Sequence, residues 1–219
     1  MVFPGAPPMI VVGTMNLTRT AEKGDFVCPE CRTWQNYRIR SRRPYLTIYF
    51  LPVVPVGGAQ RVLQCLQCSQ FWDERVLQRP DSHAAPNLPS EGEEESVFRE
   101  QLMQAAVHLA IAEGEISEQM IASLLQIASE RLGILLDRES LGEYCSIAFQ
   151  NKIGIRNYLL SVDHTWSESQ FRMAIQTLFL VASVEAGVSA TEQEVLQSLK
   201  ERGVISDEQF QQDIESLVN

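Results

Sequence analysis

The chain has 219 residues, 45% hydrophobic and 21% charged, enough to bury a sizeable core in one or two domains. Its net charge of -10 is unevenly spread: residues 1–80 carry ten Lys/Arg against five Asp/Glu, and residues 81–219 carry eight against twenty-three. This balance excludes wholesale disorder and a uniformly basic, nucleic-acid-binding surface.

The first residues, Met1 to Pro8, contain no basic stretch, and the apolar run Met9–Val12 is too short for the core of a secretory leader. The longest apolar stretch, Tyr45 to Gly58, is broken by Pro52 and Pro55 and falls short of the ~20 residues a membrane helix needs. A cytoplasmic protein without a transmembrane segment is expected.

From Met9 to Leu77 the texture is that of short strands, at Ile10–Val12, Tyr45–Leu51 and Arg61–Gln64, separated by Gly24, Pro44 and Gly57-Gly58. Four of the five cysteines fall here, as Cys28-Pro-Glu-Cys31 and Cys65-Leu-Gln-Cys68. Each Cys-x-x-Cys pair can form a tight turn that aims two thiolates at one point, and two such turns supply the four soft ligands of a tetrahedral metal. The spacing favours a metal in a reducing compartment over a disulfide framework, and a thioredoxin-like pair would need a βαβ context. Zinc held by Cys28, Cys31, Cys65 and Cys68 is the expectation, although a tetrahedral sulfur set does not by itself select zinc over iron. Four thiolates leave no open position for water or substrate, so the ion would be structural, holding together about seventy residues with little core of their own.

Phe26-Val-Cys-Pro-Glu-Cys-Arg32, then Arg42-Arg-Pro-Tyr-Leu-Thr-Ile-Tyr-Phe-Leu-Pro-Val-Val-Pro-Val56, then Cys65-Leu-Gln-Cys68, resembles a bacterial zinc-ribbon family. Its pattern is Cys-Pro-x-Cys, an aromatic-rich Phe-x-Pro-x-x-Pro strand and a second Cys-x-x-Cys, and Val11-Val-Gly-Thr14 looks like its first strand. The resemblance implies a zinc ribbon over residues 1–77. Members usually place Gly directly after each cysteine pair; here those positions are Arg32 and Ser69, where a left-handed backbone would cost about 1 kcal/mol.

Arg38, Arg40, Arg42 and Arg43, with Trp34, Tyr37 and Tyr45 nearby, could grip phosphates and stack bases. They could equally edge a small sheet and pair with the acidic second half of the chain.

Residues 78–96 contain three prolines and a run of acids, a composition that cannot bury a core, and are expected to be a linker. Beyond Val97 the apolar spacing turns helical, first at Phe98, Leu102, Ala105, Ala106, Leu109 and Ala110, then at Ile121, Leu124, Leu125, Ala128 and Leu132. Further helices are predicted at about 138–150, 152–161, 168–184, 190–202 and 207–218, with Ser117, Ser167, Ser189 and Ser206 as N-caps and a capping box from Ser189 to Glu192. A shift of 72 positions lays Glu113-Gly-Glu-Ile-Ser117 on Glu185-Ala-Gly-Val-Ser189, predicting two related helix-turn-helix units. The overall expectation is an α+β multidomain chain, a small β zinc ribbon followed by an all-α bundle over residues 97–219.

The repeated acidic turn makes residues 97–219 resemble the TerB-like (tellurite-resistance) helical domain, whose mark is Asp-Gly-x-Ile/Val-Ser between helices. The resemblance implies a stress-linked role and a second metal or partner site at Glu113, Glu115 and Glu185. Helix capping by the serines, with the acids near the positive helix ends, accounts for the same residues without a ligand.

His83, His108 and His164 stand without a Ser/His/Asp arrangement, phosphate-cradling loop or metalloprotease motif, and Cys145 reads as a small apolar helix residue. The expected function is therefore that of a non-enzymatic interaction or adaptor protein with protein partners. Nucleic-acid binding through Arg38–Arg43 and a metal or membrane-stress sensor are the alternatives.

Overall fold

The structure is a computed structural model and describes residues 12–48, 51–55, 58–80, 91–112, 114, 116–184 and 188–218. The N-terminal part is one antiparallel sheet of five strands, β1 (Val12–Val27), β2 (Trp34–Ile48), β3 (Leu51–Pro55), β4 (Gln60–Cys65) and β5 (Phe71–Asp73). The order is β1-β2-β4-β5, with β3 also paired to β2, and a 3-10 helix at Glu74–Gln78 leads out of the sheet.

The strand expected at Arg61–Gln64 is β4, and Ile10 and Val11 of the first expected strand lie outside the described residues. Tyr45–Ile48 ends one arm of a long hairpin, in which β1 and β2 pair from Val12↔Ile48 to Val27↔Trp34. Its polar residues hide it from a search for apolar runs, because much of β1 is exposed and asks for no apolar face. One extra residue, Ala21, lies between the pairs Thr20↔Arg40 and Glu22↔Ile39, a β-bulge that shifts the side-chain alternation along β1. Beyond it Phe26 and Tyr37 meet edge to face, with ring centroids 5.6 Å apart. Gly24 is paired with Tyr37, and a Cβ there would lie 2.9 Å from Tyr37 Oη, so the close approach of the ring requires glycine.

The C-terminal part contains seven α-helices among the described residues: α1 (Glu91–Ala110), α2 (Glu118–Glu130), α3 (Arg138–Asn151), α4 (Ile155–Val162), α5 (Glu168–Ala182), α6 (Ala190–Arg202) and α7 (Asp207–Val218). Helix α1 opens at Glu91, so residues 91–96, expected in the linker, are helical. Glutamates form helix readily and suit its positive end, and Glu95 holds Arg99 at 2.8 Å one turn on. The serine caps form as expected, with Ser117 accepting from the Met120 amide and full capping boxes at Ser167/Gln170 and Ser189/Glu192. The 72-residue repeat is real at the level of elements: α2 shifted by 72 coincides with α6, and the α1-turn-α2 unit recurs as α5-turn-α6.

Leu102, Ala106 and Leu109 of α1 are buried with Leu124, Leu159, Ile175, Leu178, Val181 and Leu199 in one core. The sheet docks directly on this bundle. Val62 of β4 belongs to the bundle core, and Leu160 of α4 packs against the separate core of the sheet.

Candidate metal centre

Cys28 and Cys31 sit in the turn between β1 and β2, and Cys65 and Cys68 in the turn between β4 and β5. Pairing of Tyr37 with Cys65 brings the turns to the same end of the sheet, and Leu66 N donates to Asn36 O at 2.9 Å. All four sulfurs lie within 4.8 Å of one another, Cys28 Sγ and Cys68 Sγ at 3.7 Å. Tetrahedral Zn–S bonds of ~2.3 Å place ligand sulfurs ~3.8 Å apart, so these spacings suit one ion. No disulfide joins them.

The turns are built alike. Arg32 N donates to Cys28 O at 2.7 Å, Cys28 N to Thr33 O at 3.2 Å and Cys65 N to Gln70 O at 3.1 Å. The residue after each pair is left-handed, Arg32 at φ 55° and Ser69 at φ 62°, a backbone region that favours glycine. Backbone amides converge on the sulfurs, those of Cys31 and Glu30 on Cys28 and those of Cys68 and Gln67 on Cys65. Without a cation, burial pushes the Cys28 thiol far above its usual range, while those amides favour its thiolate. A divalent ion supplies the charge this buried sulfur set lacks, and the residues fit one structural zinc.

Sequence comparison agrees. Residues 26–87 match a zinc-ribbon family. Comparison with curated proteins and with solved structures gives no match. The matched segment embraces the four cysteines, β2 to β5 and the 3-10 helix.

Within this segment, Phe26, Tyr37, Ile39, Leu63, Trp72 and Val76 are buried together with Cys28 and Cys65. Cys31 and Cys68 are half-buried. Four protein ligands close the site to substrate, so the ion would brace the fold and supply no open coordination position.

The arginines expected to contact nucleic acid are divided. Arg38 donates twice to Gln64 Oε1, at 3.1 and 3.0 Å, and Arg42 donates to the Gln150 carbonyl in the last turn of α3. The second contact places a cation at the negative end of a helix. Arg38, Arg40 and Arg42 alternate on the face that carries Val62, and Val62 is buried in the bundle core. Partial burial, then Arg38 and Arg42, lowers the pKa of Arg40. Arg43 is exposed.

Of the second candidate site, Glu113, Glu115 and Glu185 lie outside the described residues. Among the described residues, Cys28, Cys31, Cys65 and Cys68 make up the one cluster of three or more metal-ligating side chains.

The seam between ribbon and bundle uses residues that sequence reasoning missed. Arg75 holds Asp73 Oδ1 at 2.7 Å and donates to Tyr158 Oη at 3.2 Å and Gln104 Oε1 at 3.1 Å. Arg79 donates to Leu160 O at 2.6 Å, and Arg156 pairs with Glu30 at 2.9 Å. His108, stacked on Tyr158 at 4.7 Å, has its pKa lowered by burial to about 4. A charged side chain in a short 3-10 turn gives no sequence signal of its partner.

Proposed function

We propose that the chain is a non-enzymatic, cytoplasmic interaction protein in which a zinc-braced ribbon and an acidic helical bundle together present a surface to protein partners. The observation that carries this reading is the saturated Cys₄ cluster, which offers a metal brace and no reactive position. Contacts within the sheet and to the bundle add support, since Arg38 is held by Gln64 and Arg42 by the Gln150 carbonyl where a nucleic-acid interface would need them free. Four free, clustered cysteines suit a reducing compartment, and no helix among the described residues is long and apolar enough to cross a membrane.

The test is capture of partners by the full chain with and without nuclease, alongside titration of RNA and DNA at low and moderate salt. Partners retained after nuclease, and absence of salt-steep nucleic-acid binding, are expected. Tight nucleic-acid binding abolished in an Arg40/Arg42/Arg43 triple alanine variant would overturn the reading.

The recurring helix pair favours a second reading, in which the bundle is TerB-like and its acidic turns sense a metal linked to stress. Calorimetry of the full chain with calcium, magnesium and manganese tests it. Absence of heat at millimolar metal removes it.

A further inference from the structure

We propose that zinc occupancy latches the ribbon onto helix α4, because both metal-binding turns hand a side chain to that helix at successive positions. The proposal rests on the structural-zinc reading and extends it to the neighbouring helix.

The first turn contributes Glu30, which lies between the ligands Cys28 and Cys31. Its amide bonds Cys28 Sγ while its carboxylate pairs with Arg156 Nη1 at 2.9 Å. The second turn contributes Gln70, whose carbonyl accepts from Cys65 N at 3.1 Å and whose amide bonds Cys68 Sγ. Gln70 Oε1 accepts from Asn157 Nδ2 at 3.2 Å, and Asn157 Nδ2 also reaches Phe71 O at 3.1 Å. Asn157 is only 8% exposed, so these acceptors satisfy a buried amide. One turn further along α4, Leu160 packs, as Cys31 and Cys68 do, against the apolar cluster that contains Cys28 and Cys65. Residues 156, 157 and 160 therefore read the shape of both turns at once.

The two cores differ in what holds them. The ribbon core is small and two of its buried members are metal ligands, Cys28 and Cys65, whereas the bundle core contains none of the four. Removing the ion leaves left-handed Arg32 and Ser69 and four clustered sulfurs without their shared cation, so that the Tyr37–Cys65 strand pairing and the Leu66 N to Asn36 O bond alone hold the two turns together. Glu30 and Gln70 then lose their positions and α4 loses its contacts on the ribbon side, Leu160 included, keeping only its bundle-side residues such as Leu159, while α1, α2, α5 and α6 keep their packing in the bundle core. Arg75 and Arg79, anchored to Tyr158 and Leu160, keep the released ribbon nearby. Linkage makes the effect reciprocal: if zinc favours docking, docking must favour zinc by the same factor.

The experiment is hydrogen exchange on the full chain, first with its bound metal quantified and then after the metal is stripped by a chelator. On metal loss, amides of α4 should lose at least about tenfold in protection, while those of α5 and α6 stay within about twofold. Unchanged α4 protection after confirmed zinc release would overturn the latch, as would equal loss in α5, which would make the ion a support of the whole fold. A second measurement covers the reverse direction. An Arg156→Ala/Asn157→Ala variant, alanine being compatible with α4, should bind zinc about 5-fold to 10-fold more weakly in competition with a chromophoric chelator. Unchanged affinity would also sink the latch. A chain that binds no zinc at all defeats the metal reading as well, whereas zinc bound without coupling defeats the latch alone.

Discussion

At the scale of single residues, strain and buried charge give sharp expectations. Arg32 and Ser69 adopt left-handed backbone where Gly would be unstrained. Each of Arg32→Gly and Ser69→Gly should stabilise the zinc-loaded protein by up to about 1 kcal/mol in denaturant unfolding, and a loss of stability would show that their side chains matter more than their backbone. Asp163, 4% exposed, lies 2.5 Å from Arg202 Nη1 in a charge contact that is not aligned as a hydrogen bond. Burial raises the Asp163 pKa to about 6 against the pull of Arg202 and Arg79. Arg202→Met should therefore destabilise by roughly 3–5 kcal/mol near pH 8, with part of the loss recovered at pH 5 as Asp163 takes up a proton. A pH-independent loss would mean that Arg202 acts by packing alone.

At the scale of elements, helices were legible and the long hairpin was not. Apolar periodicity and serine caps located α2 to α7 closely because a helix buries one stripe and begins at a recognisable acceptor. The cysteines were legible for a similar reason: the spacing within each pair encodes the turn that forms it. The arm of β1 was silent because an exposed edge strand needs no alternation, and its bulge at Ala21 breaks what alternation there is. The seam was silent because Glu30, Arg75, Asn157 and Arg156 acquire meaning only once the two halves are in contact. Gly24 tests the hairpin. Gly24→Ala puts a Cβ 2.9 Å from Tyr37 Oη and should cost about 1–3 kcal/mol by forcing the ring off Phe26. A thermal midpoint equal to wild type would show that the strands can part without penalty.

At the scale of the whole molecule, ribbon and bundle share a seam whose buried polar groups make its stability depend on pH. His108 faces Tyr158, Asp73 and Arg75, and burial lowers its pKa from an ordinary 6.5 to about 4. Because the folded pKa is depressed, the stability that neutral His108 contributes is present above about pH 6.5 and is lost as pH falls towards 4. Asp163 works in the opposite sense, favouring the folded state as pH falls through about 6. Relative to wild type, His108→Gln should therefore gain about 2 kcal/mol between pH 7.5 and pH 5 in chemical unfolding. Parallel pH profiles would remove His108 from the account.

The integrity of the ribbon and its hold on α4 depend on an ion at Cys28, Cys31, Cys65 and Cys68. Elemental analysis of the full chain, purified without added metal under reducing conditions, tests that directly. The account predicts one zinc per chain, lost together when any of the four cysteines is replaced by serine. Iron in its place, or a folded ribbon with no metal, would contradict it.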